Sequence, residues 1–133
     1  TLNPSSAASD VYKRQAIGPL SSVFNLHHTD LYITNKNQKV SRSLGKQIIL
    51  ETRAVARADG VDVTEDECLE MFNKIVDSNQ TNKSSMCFDI LNKRKTEIEF
   101  INGAVAKIGK SHGIKTPMND LMYNMIMVKE GMY

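Results

Sequence analysis

From Val40 to Asp59 apolar side chains return every three or four positions, with Leu44, Ile48, Val55 and Ala58 along one side. That is the period of an amphipathic helix, and Gly60 stands where a left-handed residue would end it. Thr64 followed by Glu67 forms a capping box, so a second helix is expected to open there, bury Cys68, Phe72, Ile75 and Val76, and end near Asn79. A shorter helix fits Ser84 to Asn92, with Met86 and Ile90 turned inward. Thr96 and Glu99 repeat the capping-box spacing, and Ile98, Ile101, Val105 and Ile108 carry the apolar side on to Gly113. Thr116-Pro117 is a further start signal, with Leu121, Met122, Met125 and Ile126 as the buried stripe after it.

Upstream of these helices the pattern weakens. Ala16 to Phe24 is a short apolar stretch that reads as a helix interrupted or restarted at Pro19, because proline fits only the first turn. Asn25 to Gln38 is polar and reads as a loop. No segment alternates with the two-residue period of a strand for long. The expected fold is therefore all-α, about six helices joined by short loops in a compact, bundle-like domain.

Composition sets bounds on this picture. With 133 residues, 41% of them hydrophobic and 24% charged, the chain can bury one core and is too short for two ordinary domains. A formal charge of +2 gives no strong field toward nucleic acid or an anionic membrane, so neither is expected as a partner. Cys68 and Cys87 are too far apart for a CxxC pair and too few for a disulfide framework, which favours a reducing, cytoplasmic setting. No stretch approaches the roughly 20 apolar residues of a membrane span.

Thr1 to Gln15 differs from the rest: it has three serines, one proline, no apolar periodicity and a polar Tyr12-Lys13-Arg14-Gln15 end. These residues are expected to be disordered. Ser5 to Gln15 also resembles translated adaptor sequence of the kind left at the ends of assembled gene fragments. On that reading the native sequence starts near Ala16 and the natural protein continues upstream. A native disordered tail is the alternative.

Candidate chemistry is sparse. Seven glycines occur, yet none falls in a GxGxxG or GxxxxGK[ST] pattern, so no pyrophosphate cradle is expected. His27 and His28 are adjacent rather than one helical turn apart, which favours exposed loop histidines over a metal pair. His112 falls at a helix end, where its cation suits the dipole. The methionines near the carboxyl end are spaced for core packing.

The stretch from Asn82 to Gly103 is the unusual one. It spreads an asparagine, two serines, a threonine and acids along two expected helix starts, where backbone amides and short polar side chains can meet an anionic ligand. Ser84 and Thr96 also read as ordinary caps, and Glu97 as an ordinary first-turn acid.

These residues carry a resemblance. Asn82-Lys83-Ser84-Ser85-Met86, Thr96-Glu97-Ile98, Ile101-Asn102-Gly103 and His112-Gly113-Ile114-x-Thr116-Pro117-x-Asn119 look, in order and spacing, like the carboxyl-terminal domain of the ketopantoate reductases, or 2-dehydropantoate 2-reductases. The likeness runs from about Ala16 to Lys129. It implies a helical domain of the kind found in 6-phosphogluconate-dehydrogenase-like reductases, with a Rossmann domain, absent here, that binds NADPH. It also implies hydride transfer to the ketone of a small 2-oxoacid, with a lysine protonating the alkoxide.

By the same resemblance Asn82, Ser85 and Ser84 bind the substrate, Lys83 lies in the same substrate-side segment, and Glu97 faces the cofactor. Asn102 and Gly103 match a structural motif, in which Gly103 permits a close helix contact. The family's lysine and following asparagine align with Asp10 and Arg14, so no catalytic residue is expected in this chain, and Lys13 is out of register. Gly18 replaces a further asparagine, and His28 stands near the place of another. The resemblance leaves open a homodimer, a reductase of a related 2-oxoacid, and another Rossmann-linked dehydrogenase. A non-catalytic helical interaction module remains the reading from a different class.

Overall fold

The computed structural model describes residues 18–77 and 83–133. Every regular element among them is helical: α1 Gly18–Val23, α2 His28–Tyr32, α3 Gln38–Ala58, α4 Glu65–Asp77, α5 Ser85–Leu91, a 3₁₀ turn Ile98–Phe100, α6 Asn102–Ser111 and α7 Pro117–Glu130. None of these helices is long and apolar enough to cross a membrane. The expectations for Thr1 to Gln15, the helix end near Asn79 and the role of Asn82 lie outside the described residues.

The long α3 is the axis of the domain and packs on α2, α4, α6 and α7, while α1 packs on α5 and α7. One core gathers Leu20, Tyr32, Ile48, Ile49, Phe72 and Val76 around α3 and α4, with Met122 from α7. A smaller one joins Met86 of α5, Ile98 and Ile126.

Four helices close in the same way. At α3 the Gly60 amide donates to Arg57 O and the Val61 amide to Ala56 O, a Schellman pair that needs a left-handed residue, and Gly60 has φ +88°. Gly113 closes α6 through the same two bonds. Asn25 (φ 56°) closes α1 and Lys93 (φ 55°) closes α5, where no glycine flags the stop.

Several local expectations change in the folded chain. Asn25 to Gln38 is not all loop, because His27 caps a short helix by accepting the Asp30 amide on Nδ1 at 3.3 Å, and α2 buries Leu31 and Tyr32. The helix expected from Thr96 to Gly113 breaks at Ile101 (φ −112°, ψ −96°) into the 3₁₀ turn and α6. Thr96 Oγ1 accepts the Ile98 amide at 3.3 Å at the start of the 3₁₀ turn, two residues on rather than three, and its hydroxyl donates to Glu130 at 2.7 Å. Thr116 makes no side-chain cap of α7, and its hydroxyl donates to the Asp120 carboxylate. The α7 start is capped instead by Glu51 of α3, which accepts the amides of Met118 at 3.0 Å and Asn119 at 2.8 Å. Ala58 and Leu121 are exposed, and α7 buries Asn119, Met122 and Ile126. Thr64 does cap α4, accepting the Glu67 amide at 3.1 Å.

Gly45 shows how tightly α3 meets its neighbours. A β-carbon there would lie 2.5 Å from Phe72 Cε2 and 3.2 Å from Tyr32 Oη. Phe72 is held edge-on against Tyr32, with ring centroids 5.4 Å apart, so it has little room to retreat. Gly45→Ala is therefore expected to lower stability by about 1–2 kcal/mol, overpacking outweighing the roughly 1 kcal/mol gain in helix propensity. Thermal denaturation followed by circular dichroism checks this, and a raised Tm would show that the contact relaxes freely. Gly103 is close-packed as well: its β-carbon would stand 3.1 Å from both Ile98 O and Tyr123 Cδ2.

Candidate functional site

The residues singled out around Ser84 meet the end of α1. Ser84 adopts the extended conformation of an N-cap (φ −64°, ψ 160°) and accepts the Cys87 amide at 3.2 Å. Its hydroxyl lies 3.0 Å from Ser22 Oγ, and Ser22 Oγ lies 3.0 Å from Gly18 O. A carbonyl can only accept, so Ser22 donates its proton to Gly18 and Ser84 donates to Ser22. The outcome is a directed chain from the Cys87 amide through two hydroxyls to Gly18 O. Ser84 thus spends its proton on joining α1 to α5. Ser85, one residue on, is exposed.

Asn25 is the second tie across this junction. Its Oδ1 accepts the Lys83 ammonium at 3.0 Å and the Cys87 thiol at 3.3 Å. Burial pushes the Cys87 thiol up from its ordinary pKa, while the Lys83 and Lys129 ammonium groups pull it down. Ser22, Asn25 and Cys87 are absent from the residues expected at the site. No local signal could supply them, because their partners are 58 to 62 positions away in sequence.

Glu97 stands apart from this cluster. It is exposed, precedes the 3₁₀ turn, makes no side-chain cap, and has no hydrogen-bond or ion-pair partner for its carboxylate among the described residues.

His28 is not an exposed loop residue. It stacks on Tyr32 with centroids 5.7 Å apart, and its buried Nδ1 lacks a partner among the described residues. Burial first, and then the neighbouring His27, lowers its pKa, so the neutral ring is favoured. His27 pairs with Asp30 at 3.0 Å and His112 with Asp59 at 3.2 Å.

A further groove runs along α6 and α7, lined by Phe100, Gly103, Lys107, Lys110 and Tyr123 among others, with a volume of about 1210 Å³. It contains neither Ser84, Ser85 nor Glu97.

The family model described as Ketopantoate reductase PanE/ApbA C terminal matches residues 13–130. The chain belongs to the ketopantoate reductase family. A 2-dehydropantoate 2-reductase of Escherichia coli O157:H7 is 30% identical over 117 residues, a stretch that is 88% of this chain and 36% of that relative. The chain thus spans about a third of the length of such reductases, as their carboxyl-terminal domain. Among solved structures, dimeric ketopantoate reductase from Staphylococcus aureus superposes with a TM-score of 0.85 at 19% identity, covering 98% of this chain and 44% of that one. D-mandelate dehydrogenase, solved with NADH and anilino(oxo)acetate, gives 0.83 at 24% identity, with 96% and 41% covered. These two likenesses establish the helical fold of the ketopantoate reductase carboxyl-terminal domain.

Proposed function

We propose that this chain is the substrate-binding domain of an NADPH-dependent 2-dehydropantoate 2-reductase, which reduces ketopantoate to pantoate for pantothenate and coenzyme A synthesis. The observation that carries the reading is the family match across residues 13–130 together with the α1–α5 junction. There the matched Ser85 hydroxyl is exposed while Ser84 is held in the fold.

On this reading Ser85 and Asn82 hydrogen-bond the 2-oxoacid and hold its ketone toward the upstream domain. NADPH, held mainly by that domain, supplies the hydride. Glu97 accepts a hydrogen bond on the cofactor side and helps order the centre. Asp10 and Arg14 occupy the positions where the resemblance puts the proton-donating lysine and an asparagine, so no proton donor is assigned within this chain. We take Thr1 to Gln15 as a non-native extension and residues 16–133 as the domain, while the family match itself begins three residues earlier, at residue 13. The enzyme is read as cytoplasmic and homodimeric, the latter supported by the relative from S. aureus described as dimeric.

Proximity of hydride donor and ketone is most of what such an enzyme provides, and the donor's site is on the other domain. The 133-residue chain alone should therefore neither bind NADPH at micromolar concentration nor consume it with 2-dehydropantoate. Residues 16–133 joined to the upstream domain through a segment that restores the proton-donating lysine should do both, and Glu97→Gln should then cost turnover, although an ordinary first-turn acid would be nearly neutral to remove. Micromolar NADPH binding by the isolated chain would overturn the division of labour. The runner-up is a helical module without chemistry. A strand and GxGxxG in frame upstream of Ala16 would support the enzyme, and a stop codon followed by a start codon there would support the module.

A further inference from the structure

Lys83 is half-buried at the α1–α5 junction, and its ammonium spends one N–H on Asn25 Oδ1 at 3.0 Å. An ammonium has three donors. Among the described residues no carboxylate lies within ion-pair distance of Lys83 or of Lys129, the second ammonium that acts on Cys87. The acids nearby in sequence are engaged: Asp89 pairs with Arg94 at 3.3 Å, and Glu130 accepts from Thr96. The Ser22 and Ser84 protons are consumed within the fold. Among the described residues the donors left over at the junction are the remaining Lys83 N–H groups, the Asn25 Nδ2 hydrogens and the exposed Ser85 hydroxyl.

Asn25 is well suited to hold that ammonium in place. Its left-handed backbone (φ 56°) closes α1, and the bond from Cys87 fixes the same oxygen from α5. An ammonium already held by one hydrogen bond meets a carboxylate with a charge-assisted hydrogen bond and loses less freedom in doing so than an untethered one. Lys129 adds positive potential from α7.

We propose that Lys83, aimed by Asn25, is a specificity-determining residue that receives the carboxylate of the 2-oxoacid substrate. The assignment rests on reading the junction as the substrate site of a reductase. Lys83 binds, and Asn25 is a positioning residue.

The test is steady-state kinetics of the complete reductase, this domain joined to its nucleotide-binding domain, with 2-dehydropantoate and with its uncharged methyl ester. Lys83→Met should raise KM for the acid about tenfold, leave kcat nearly unchanged, and leave KM for the ester as it was. Lys83→Arg should recover part of the loss, because the charge is retained. Asn25→Gly keeps, and even eases, the left-handed closure of α1 while deleting Oδ1. It should therefore hold or raise the Tm and still raise KM for the acid several-fold, a split that a purely structural role does not produce. An unchanged KM for the acid in Lys83→Met, or equal losses on acid and ester, would overturn the proposal and leave the reductase assignment standing. A parent enzyme that reduces no 2-oxoacid would overturn both.

Discussion

Ser85→Ala in the complete reductase is expected to lower kcat/KM for 2-dehydropantoate roughly ten- to hundredfold while NADPH affinity stays nearly constant. Removing one hydrogen bond to a charged or strongly polar group costs about 1.5–3 kcal/mol, and that range sets the magnitude. The neighbouring serine provides the contrast. Ser84 caps α5 and donates to Ser22 at 3.0 Å, so Ser84→Ala should lose about 1 kcal/mol of stability, the cost of a cap, with a smaller effect on catalysis. Exposed Ser85 has no such duty in the fold, and Ser85→Ala should leave the Tm within a degree or two. Full activity in Ser85→Ala and Glu97→Gln together would remove the site assignment without touching the family assignment.

The largest loss of stability is expected at Asn119. Its side chain is fully buried, donates to Glu51 Oε1 at 2.9 Å and Thr52 Oγ1 at 3.2 Å, and accepts from Asn102 Nδ2 at 3.0 Å. Three helices, α3, α6 and α7, are tied at this one amide. Asn119→Leu keeps the branched shape and heavy-atom count, adds some bulk, and removes every one of these bonds. Each buried polar group that loses a partner costs about 1–3 kcal/mol, so a total near 3 kcal/mol is expected, a large share of the ~5–15 kcal/mol of an ordinary domain. Chemical denaturation should show the midpoint falling with little change in slope. Leu121→Ala is the control. Helical spacing alone assigns Leu121 to the buried stripe, but it is 48% exposed, and its removal should cost less than about 0.5 kcal/mol. If the two variants lose equal stability, the buried amide is not what holds α7.

That contrast marks where sequence reasoning reached its limit in this chain. Apolar spacing located α3, α4, α5 and α7 to within a few residues, and Gly60, Thr64 and Ser84 act at the helix ends where they were expected. Such signals are local, since a cap or a stop is decided within about four residues of the backbone group it satisfies. The family resemblance was legible for the same reason, as short motifs in fixed order. Thr96 carries the same local signal as Thr64, yet its hydroxyl donates to Glu130, 34 positions away on α7. Glu51, 67 positions away, then caps the α7 start, and Asn25 meets Lys83 across 58 positions. A side chain with two chemically equivalent uses, cap or cross-helix partner, is committed only when helix packing brings the second partner within 3 Å or so. The sequence therefore determined an all-α ketopantoate reductase domain and the order of its helices. Only the tertiary structure decided which hydroxyls, amides and ammonium groups are spent on the fold and which are left over, because that division depends on contacts that exist only after the helices have packed.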